Sequence, residues 1–303
     1  MGFMADAFRA LAPNRISEVC KGSWDMLLKR GCQVAVPADN GDLITDSSKG
    51  VINVVYVAAS TGCFPDIPLP DVIEVLSDLE FTAVEIVLDD KGIQMPPARI
   101  VEEFDECLRI VRDTHRLDIC SYNVRIDAEG PVHYERFSKI CDLAKATKVV
   151  SLTIPSGEHG TPFNQEVEHL QKLVEISESR GVRIGLKSQM GCLSEDPDTV
   201  KNLCDYVPGV GLTLDPSHYL CSNNRNKNYE KLMKYIYHVH LRDSKKDQLQ
   251  VRVGQGEIEY GRLITQLETV GYDLALSVDM SPMEGMDMRQ ELRKLRLLLD
   301  SLL

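Results

Sequence analysis

The chain has 303 residues, 43% of them hydrophobic and 26% charged, with a formal net charge of −12. It is long enough for one large domain or two small ones with a real core. Its acidic balance works against a polyanionic partner, because phosphate binding needs a concentrated basic surface. Nine cysteines, an odd number without a CxxC pair, fit small buried thiols in a reducing compartment better than a disulfide framework. The start, MGFMADAFRALAPNR, lacks the apolar core of a signal peptide, and no segment has the length of a membrane span. The expectation is a cytoplasmic protein without a membrane or nucleic-acid partner.

Residues 16–31, ISEVCKGSWDMLLKRG, read as a helix carrying Trp24, and residues 37–50 as a polar connection. Residues 1–50 are therefore taken as a helical extension and linker. Packing on the N-terminal side of the following domain and acting as an oligomerisation arm are both open, so a second copy of the chain stays open as a partner. From residue 51 onward, short β-rich runs recur: 51–60, 81–89, 117–124, 148–156, 182–189, 210–215, 235–243 and 273–280. Between them lie stretches with helically spaced apolar residues, such as 70–80, 99–115 and 164–181, which often end at Gly or Pro. Eight strands alternating with helices imply parallel connections. Residues 51–303 also match the roughly 250-residue size of a (β/α)8 TIM barrel. A doubly wound sheet is the alternative, but AASTGCFPD after the first strand is no glycine-rich phosphate loop.

Strand alternation sorts the polar residues, since neighbouring side chains point to opposite faces. Val210, Leu212 and Leu214 face one way, and Gly211, Thr213 and Asp215 the other. The same register opposes Ile184 and Leu186 to Gly185, Lys187 and Gln189, and Val239 and Leu241 to His238, His240 and Arg242. It likewise opposes Val278 to Ser277 and Asp279, and Val84 and Ile86 to Glu85. The parity that buries aliphatics under helices thus aims Glu85, Lys187, Asp215, His240 and Asp279 into the lumen. They come late in their strands, at the end where barrel enzymes build their sites. Isolated buried ionisable groups are costly unless paired or metal-bound, so the expectation is a functional pocket, with a structural ion-pair network as the alternative.

GLTLDPSH (211–218), YHVHLRD (237–243), VRVGQGEIEYGRLI (251–264) and LALSVDM (274–280) together resemble the sugar isomerase/epimerase group of xylose isomerase-like barrels, from about residue 51 to the C-terminus. The resemblance implies one divalent ion, Mn²⁺, Co²⁺, Mg²⁺ or Zn²⁺, held by a Glu, an Asp, a His and a second Glu from strands five to eight. It also implies proton transfer next to a carbonyl, because a carbon acid ionises only if its enolate is stabilised. Asp215 and His240 match as metal ligands, and Asp279 stands where the last Glu is expected. Strand five departs from the pattern: it reads KSQ, Lys187–Ser188–Gln189. A protonated amine cannot ligate a metal and repels one. Either a metal still binds through Asp215, His240 and Asp279, or Lys187 replaces it and neutralises the two aspartates. Without a metal, Lys187 could form a Schiff base, donate a proton or stabilise an oxyanion, or the barrel could only bind.

The expected activity is that of a sugar isomerase, epimerase or lyase on a small polyhydroxylated or keto-acid substrate. The alternative is a metal-free barrel, altered or inactive in catalysis, that binds a sugar-like ligand. The expected catalytic residues are Lys187, Glu85 and Asp279, with Glu85 either supplying the missing acid–base carboxylate or pairing with Lys187. Substrate contacts are assigned to His218, to the guanidinium fork of Arg242, to Glu158 in the loop after strand four, and to Gln189. His238 lies one pleat deeper than His240 and is read as a core histidine.

Overall fold

The computed structural model describes residues 55–303; the helical extension expected in residues 1–50 lies outside the described residues. Eight strands, β1 (Tyr56–Ser60), β2 (Ala83–Asp89), β3 (Asp118–Arg125), β4 (Ser151–Ile154), β5 (Arg183–Lys187), β6 (Val210–Leu214), β7 (Ile236–Leu241) and β8 (Ala275–Val278), pair in parallel and in sequence order. β1 also pairs with β8, from Tyr56 opposite Ala275 to Ala59 opposite Val278, and closes the barrel.

Helices surround the strands: α1 (Leu69–Asp78), α2 (Pro97–Glu102), α3 (Phe104–Arg112), α4 (Gly130–Thr147), α5 (Phe163–Glu178), α6 (Pro197–Tyr206), α7 (Pro216–Cys221), α8 (Tyr260–Thr269) and α9 (Met288–Asp300). The longer helices bury apolar residues inward, as α1 does with Leu69, Val72, Ile73 and Leu76. The single helix expected over 99–115 is interrupted at Glu103, whose backbone leaves the helical region (φ −129°, ψ 45°). Ile100, Cys107 and Val111 are buried on both sides of the break, so the apolar spacing runs through it and hides it from a periodicity argument.

Val57, Ala59, Val84, Ile86, Ile184, Leu186, Leu212, Leu214, Val239, Leu241, Leu276 and Val278 join the core under the helices. The lumen carries the other parity. At its N-terminal end Ala58, Ala83 and Ala275 form a small separate cluster with Tyr56 and Cys120. Glycine is required further round: a Cβ on Gly185 would lie 2.5 Å from Thr213 Oγ1, which instead shares a 2.8 Å hydrogen bond with Thr153. Toward the C-terminal mouth the lumen turns ionic. Among the described residues no helix is long and apolar enough to cross a membrane, and seven cysteines are free.

Candidate functional site

Asp215 follows the last residue of β6 and caps α7: its Oδ1 accepts the Ser217 N–H at 3.0 Å. A carboxylate is suited there because it satisfies an unpaired N–H and meets the positive end of the helix. Its other oxygen, Oδ2, accepts from Arg242 Nη2 at 2.9 Å. Ser188 clamps the Asp215 backbone, its Oγ accepting the Asp215 N–H at 2.7 Å and donating to the Asp215 carbonyl at 3.1 Å. The side chain is fully buried. Burial pushes its carboxyl pKa up, but the charges of Arg242, His218 and Lys187 outweigh burial and leave it below the ordinary value.

Across the lumen, one oxygen of Asp279 gathers three cationic or donor groups. Lys187 Nζ lies 2.6 Å from Oδ2, Arg242 Nη2 3.0 Å and His240 Nδ1 3.3 Å. Lys187 and Arg242 are 6% and 7% exposed in their side chains and Asp279 13%, so the cluster sits just under the mouth. Burial raises the Asp279 carboxyl, yet Lys187, His240 and Arg242 hold it well below the usual carboxylate range. Arg242 is raised by Asp215 and Asp279 against the opposing effect of its own burial. Arg242, expected as a substrate clamp, bridges the two aspartates, its Nη2 donating to both.

Beneath this layer lies Glu85, fully buried on β2. Its Oε2 accepts from His240 Nε2 at 2.8 Å. His238 Nε2 is also 2.8 Å from that oxygen, but it lacks the alignment of a hydrogen bond and has no partner, like Glu85 Oε1. Burial works against ionisation of Glu85, and the two histidines overcome it, pulling its pKa down. His238 is lowered chiefly by burial, whereas Glu85 carries His240 upward against burial. Glu85 therefore pairs with histidines rather than with Lys187. It is fully buried, and its Oε2 meets the Nε2 face of the His240 ring.

His218 sits at the rim, 8% exposed, with Nε2 3.7 Å from Asp215 Oδ2. Its Nδ1 accepts the Met190 N–H at 3.2 Å, which fixes the tautomer with the proton on Nε2. Burial drives its pKa down to about 4, so it faces the mouth as a neutral N–H donor. Gln189 is half-buried at the exit of β5. Glu158 is exposed and stands apart from the cluster; its neighbour His159 bonds Glu195 Oε2 at 2.8 Å and ties the loop after β4 to the loop after β5.

Two structural residues escaped the sequence reading. Ser188, within the departure from the ligand motif, carries no sequence signal for its grip on the Asp215 backbone. Asp243 follows HLR and accepts the N–H groups of Gly254 and Gly256 at 2.8 and 2.9 Å. A Cβ on Gly256 would lie 1.8 Å from Asp243 Oδ1, which explains why GQG follows in the chain: only glycine lets the backbone close over that carboxylate.

Asp215, His240 and Asp279 bring one ligand atom each within 4.8 Å of one another, as a divalent ion would require. Those aspartate oxygens are already bonded to Arg242 and Lys187. With His240 doubly protonated, three cations would balance the carboxylates of Asp215, Asp279 and Glu85. A divalent ion added at the mouth would have to displace both basic side chains and, even after replacing the second proton of His240, leave one further charge uncompensated in a buried site. The mouth residues do not fit the metal that the resemblance implies.

The sequence profile described as xylose isomerase-like TIM barrel matches residues 73–298. A relative from Methanocaldococcus jannaschii, the uncharacterized protein MJ1311, is 29% identical over 119 residues, which are 36% of this chain and 41% of that protein. The chain thus matches less than half the length of that relative. Among solved structures, a D-allulose 3-epimerase from Methylomonas sp. superposes with a TM-score of 0.64 at 15% identity, over 82% of this chain and 98% of that one. A xylose isomerase-like TIM barrel protein from Mycobacterium smegmatis, in complex with magnesium, gives 0.63 at 16% identity over the same shares. At such identities the likeness speaks for the fold.

Proposed function

The chain belongs to the xylose isomerase-like TIM barrel family, and on that premise we propose that it moves a proton next to a carbonyl of a small polyhydroxylated or keto-acid substrate. In this proposal the positive charge comes from Lys187 and Arg242 rather than from a metal at the mouth. The observation that carries it is the sharing of one Asp279 oxygen by Lys187 Nζ at 2.6 Å and Arg242 Nη2 at 3.0 Å, at the end of the barrel where sites are built.

The chemistry follows from competition for those cations. A carbonyl oxygen that gains charge as its neighbouring carbon loses a proton is a better partner for an ammonium and a guanidinium than a neutral ketone is. As the substrate oxygen draws them away, Asp279 loses the partners that depress its basicity and becomes able to take the proton. The Nε2–H of His218 donates to a substrate hydroxyl, and Gln189 lines the exit of β5. Glu85 keeps the His240 ring in place behind Asp279. Glu158 is retained as a contact only for a ligand that extends to the rim.

The test is exchange of solvent deuterium into a panel of ketoses and keto acids by the full-length protein at high concentration. At least one compound should exchange, without acceleration by added Mn²⁺, Co²⁺ or Mg²⁺. Lys187→Met should lower the rate by about 10²-fold or more, the size seen when one oxyanion donor is removed. Absence of exchange across the panel overturns the proposal. The saturation of Asp215 and Asp279 by basic side chains also favours a second reading, a barrel that only binds, which would show thermal stabilisation by such a compound without exchange.

A further inference from the structure

Beneath the mouth lies a buried layer in which histidines face carboxylates. Both ring nitrogens of His240 face carboxylate oxygens: Nε2 is 2.8 Å from Glu85 Oε2 and Nδ1 is 3.3 Å from Asp279 Oδ2. A neutral imidazole carries one proton, so one lone pair would point at an anion. A second positive partner is required, either a proton or a metal ion. A second proton leaves three buried atoms unexplained, Glu85 Oε1, His238 Nε2 and His240 Nδ1, none of which has a hydrogen-bond partner. Unpaired buried polar atoms are rare and call for a cause.

We propose that Glu85, His238 and His240 bind one divalent transition-metal ion of the Zn²⁺ or Co²⁺ type, one pleat below the mouth, with only His240 shared with the family-like ligand set. One ion accounts for two of these atoms and for the second charge. It accepts the lone pair of His238 Nε2, replaces the second proton on His240 Nε2, and engages the free oxygen of Glu85. The three candidate ligand atoms already lie within 4.8 Å of one another. His240 Nδ1 then faces Asp279 Oδ2 at 3.3 Å, on the side where a carboxylate characteristically orients a metal-bound histidine by accepting its N–H. Two imidazoles and one carboxylate suit zinc, cobalt or iron(II) and not magnesium or calcium, which prefer oxygen. Ligand atoms around tetrahedral zinc lie about 3.3 Å apart for bonds of roughly 2.05 Å, so binding moves Glu85 back by about half an ångström. His238 and His240 come from the same strand, two residues apart, which presents both rings on one face.

This site does not depend on the proton-transfer proposal and fails separately from it. The experiment is Co²⁺ titration of the full-length, chelator-treated protein. It should bind one ion per chain and develop the visible d–d absorption of low-coordinate cobalt. X-ray absorption of the zinc-loaded wild type should show two imidazoles in the coordination shell. Asp215→Asn should retain the ion, and His238→Asn should lose it. Absence of bound cobalt in the wild type overturns the proposal. So does a shell of one imidazole and two carboxylates, or an ion lost with Asp215→Asn and kept with His238→Asn, each of which puts the ion at the mouth. The absorption measurement uses unaltered protein and decides the matter even if His238→Asn does not fold.

Discussion

Replacing Lys187 by methionine removes an ammonium while keeping most of its apolar stem. Stripping one partner from a buried ion pair costs about 3–5 kcal/mol when the survivor is left uncompensated. Asp279 is not left alone here, because Arg242 Nη2 stays 3.0 Å and His240 Nδ1 3.3 Å away. The expected loss is therefore smaller, about 2–3 kcal/mol. Arg242→Met strips Asp215 and Asp279 together and should cost about 4–5 kcal/mol. In the double variant Lys187→Met/Asp279→Asn, both charges of the pair are gone and Arg242 still has Asp215. That variant should recover to within about 1 kcal/mol of the wild type, about 1–3 kcal/mol more stable than Lys187→Met alone. Urea unfolding of the full chain, compared at constant m-value, measures all three differences. If Lys187→Met lies within about 0.5 kcal/mol of wild type, as for a surface substitution, the ammonium does not hold the cluster. A double variant no more stable than the single one would also refute the pairing.

Three further outcomes are expected. Gly256→Ala puts a methyl 1.8 Å from Asp243 Oδ1 and 2.6 Å from the Ser244 backbone nitrogen, so the loop has to move. A loss of about 1–3 kcal/mol with faster amide exchange at Gly254 and Gly256 is expected, and unchanged exchange would show that the cradle is not needed. Gly185→Ala brings a Cβ to 2.5 Å from Thr213 Oγ1 and 3.2 Å from Thr213 N inside the barrel; it should destabilise by about 1–3 kcal/mol, read by thermal melting, and a neutral result would mean the lumen has room to spare. His169, between α4 and α5, has its pKa lowered to about 4 from 6.5 by burial, with the charges of His133 and Lys172 adding to it. The unfolded chain then binds the proton more readily, so stability falls as pH drops from about 6.5 toward 4. His169→Asn should flatten that limb of a pH-dependent melting curve, and an unaltered slope would exclude His169 as its source.

The sequence by itself determined the barrel and its inside. Alternation with period two is a property of each strand alone, so Lys187, Asp215, His240 and Asp279 were assigned to the lumen without knowledge of neighbours, and the aliphatics opposite them join the core under the helices. The break at Glu103 stayed hidden because burial on both sides keeps one helical spacing. Alternation by itself leaves partnership open: the resemblance offers Lys187 as the neutraliser of Asp215 and Asp279, with Glu85 as another partner. Whether Lys187 meets Glu85 or Asp279 depends on which strands face each other across the closed barrel and how far their residues rise along its axis. Strand order, tilt and register set both, and none is local to a strand. The fold brought together Lys187 and Asp279, 92 residues apart, and His240 and Glu85, 155 apart. It placed Arg242 between two aspartates and left Glu158 at the surface. Side-chain direction follows from backbone stereochemistry, whereas charge pairing in the lumen follows from closure of the whole sheet.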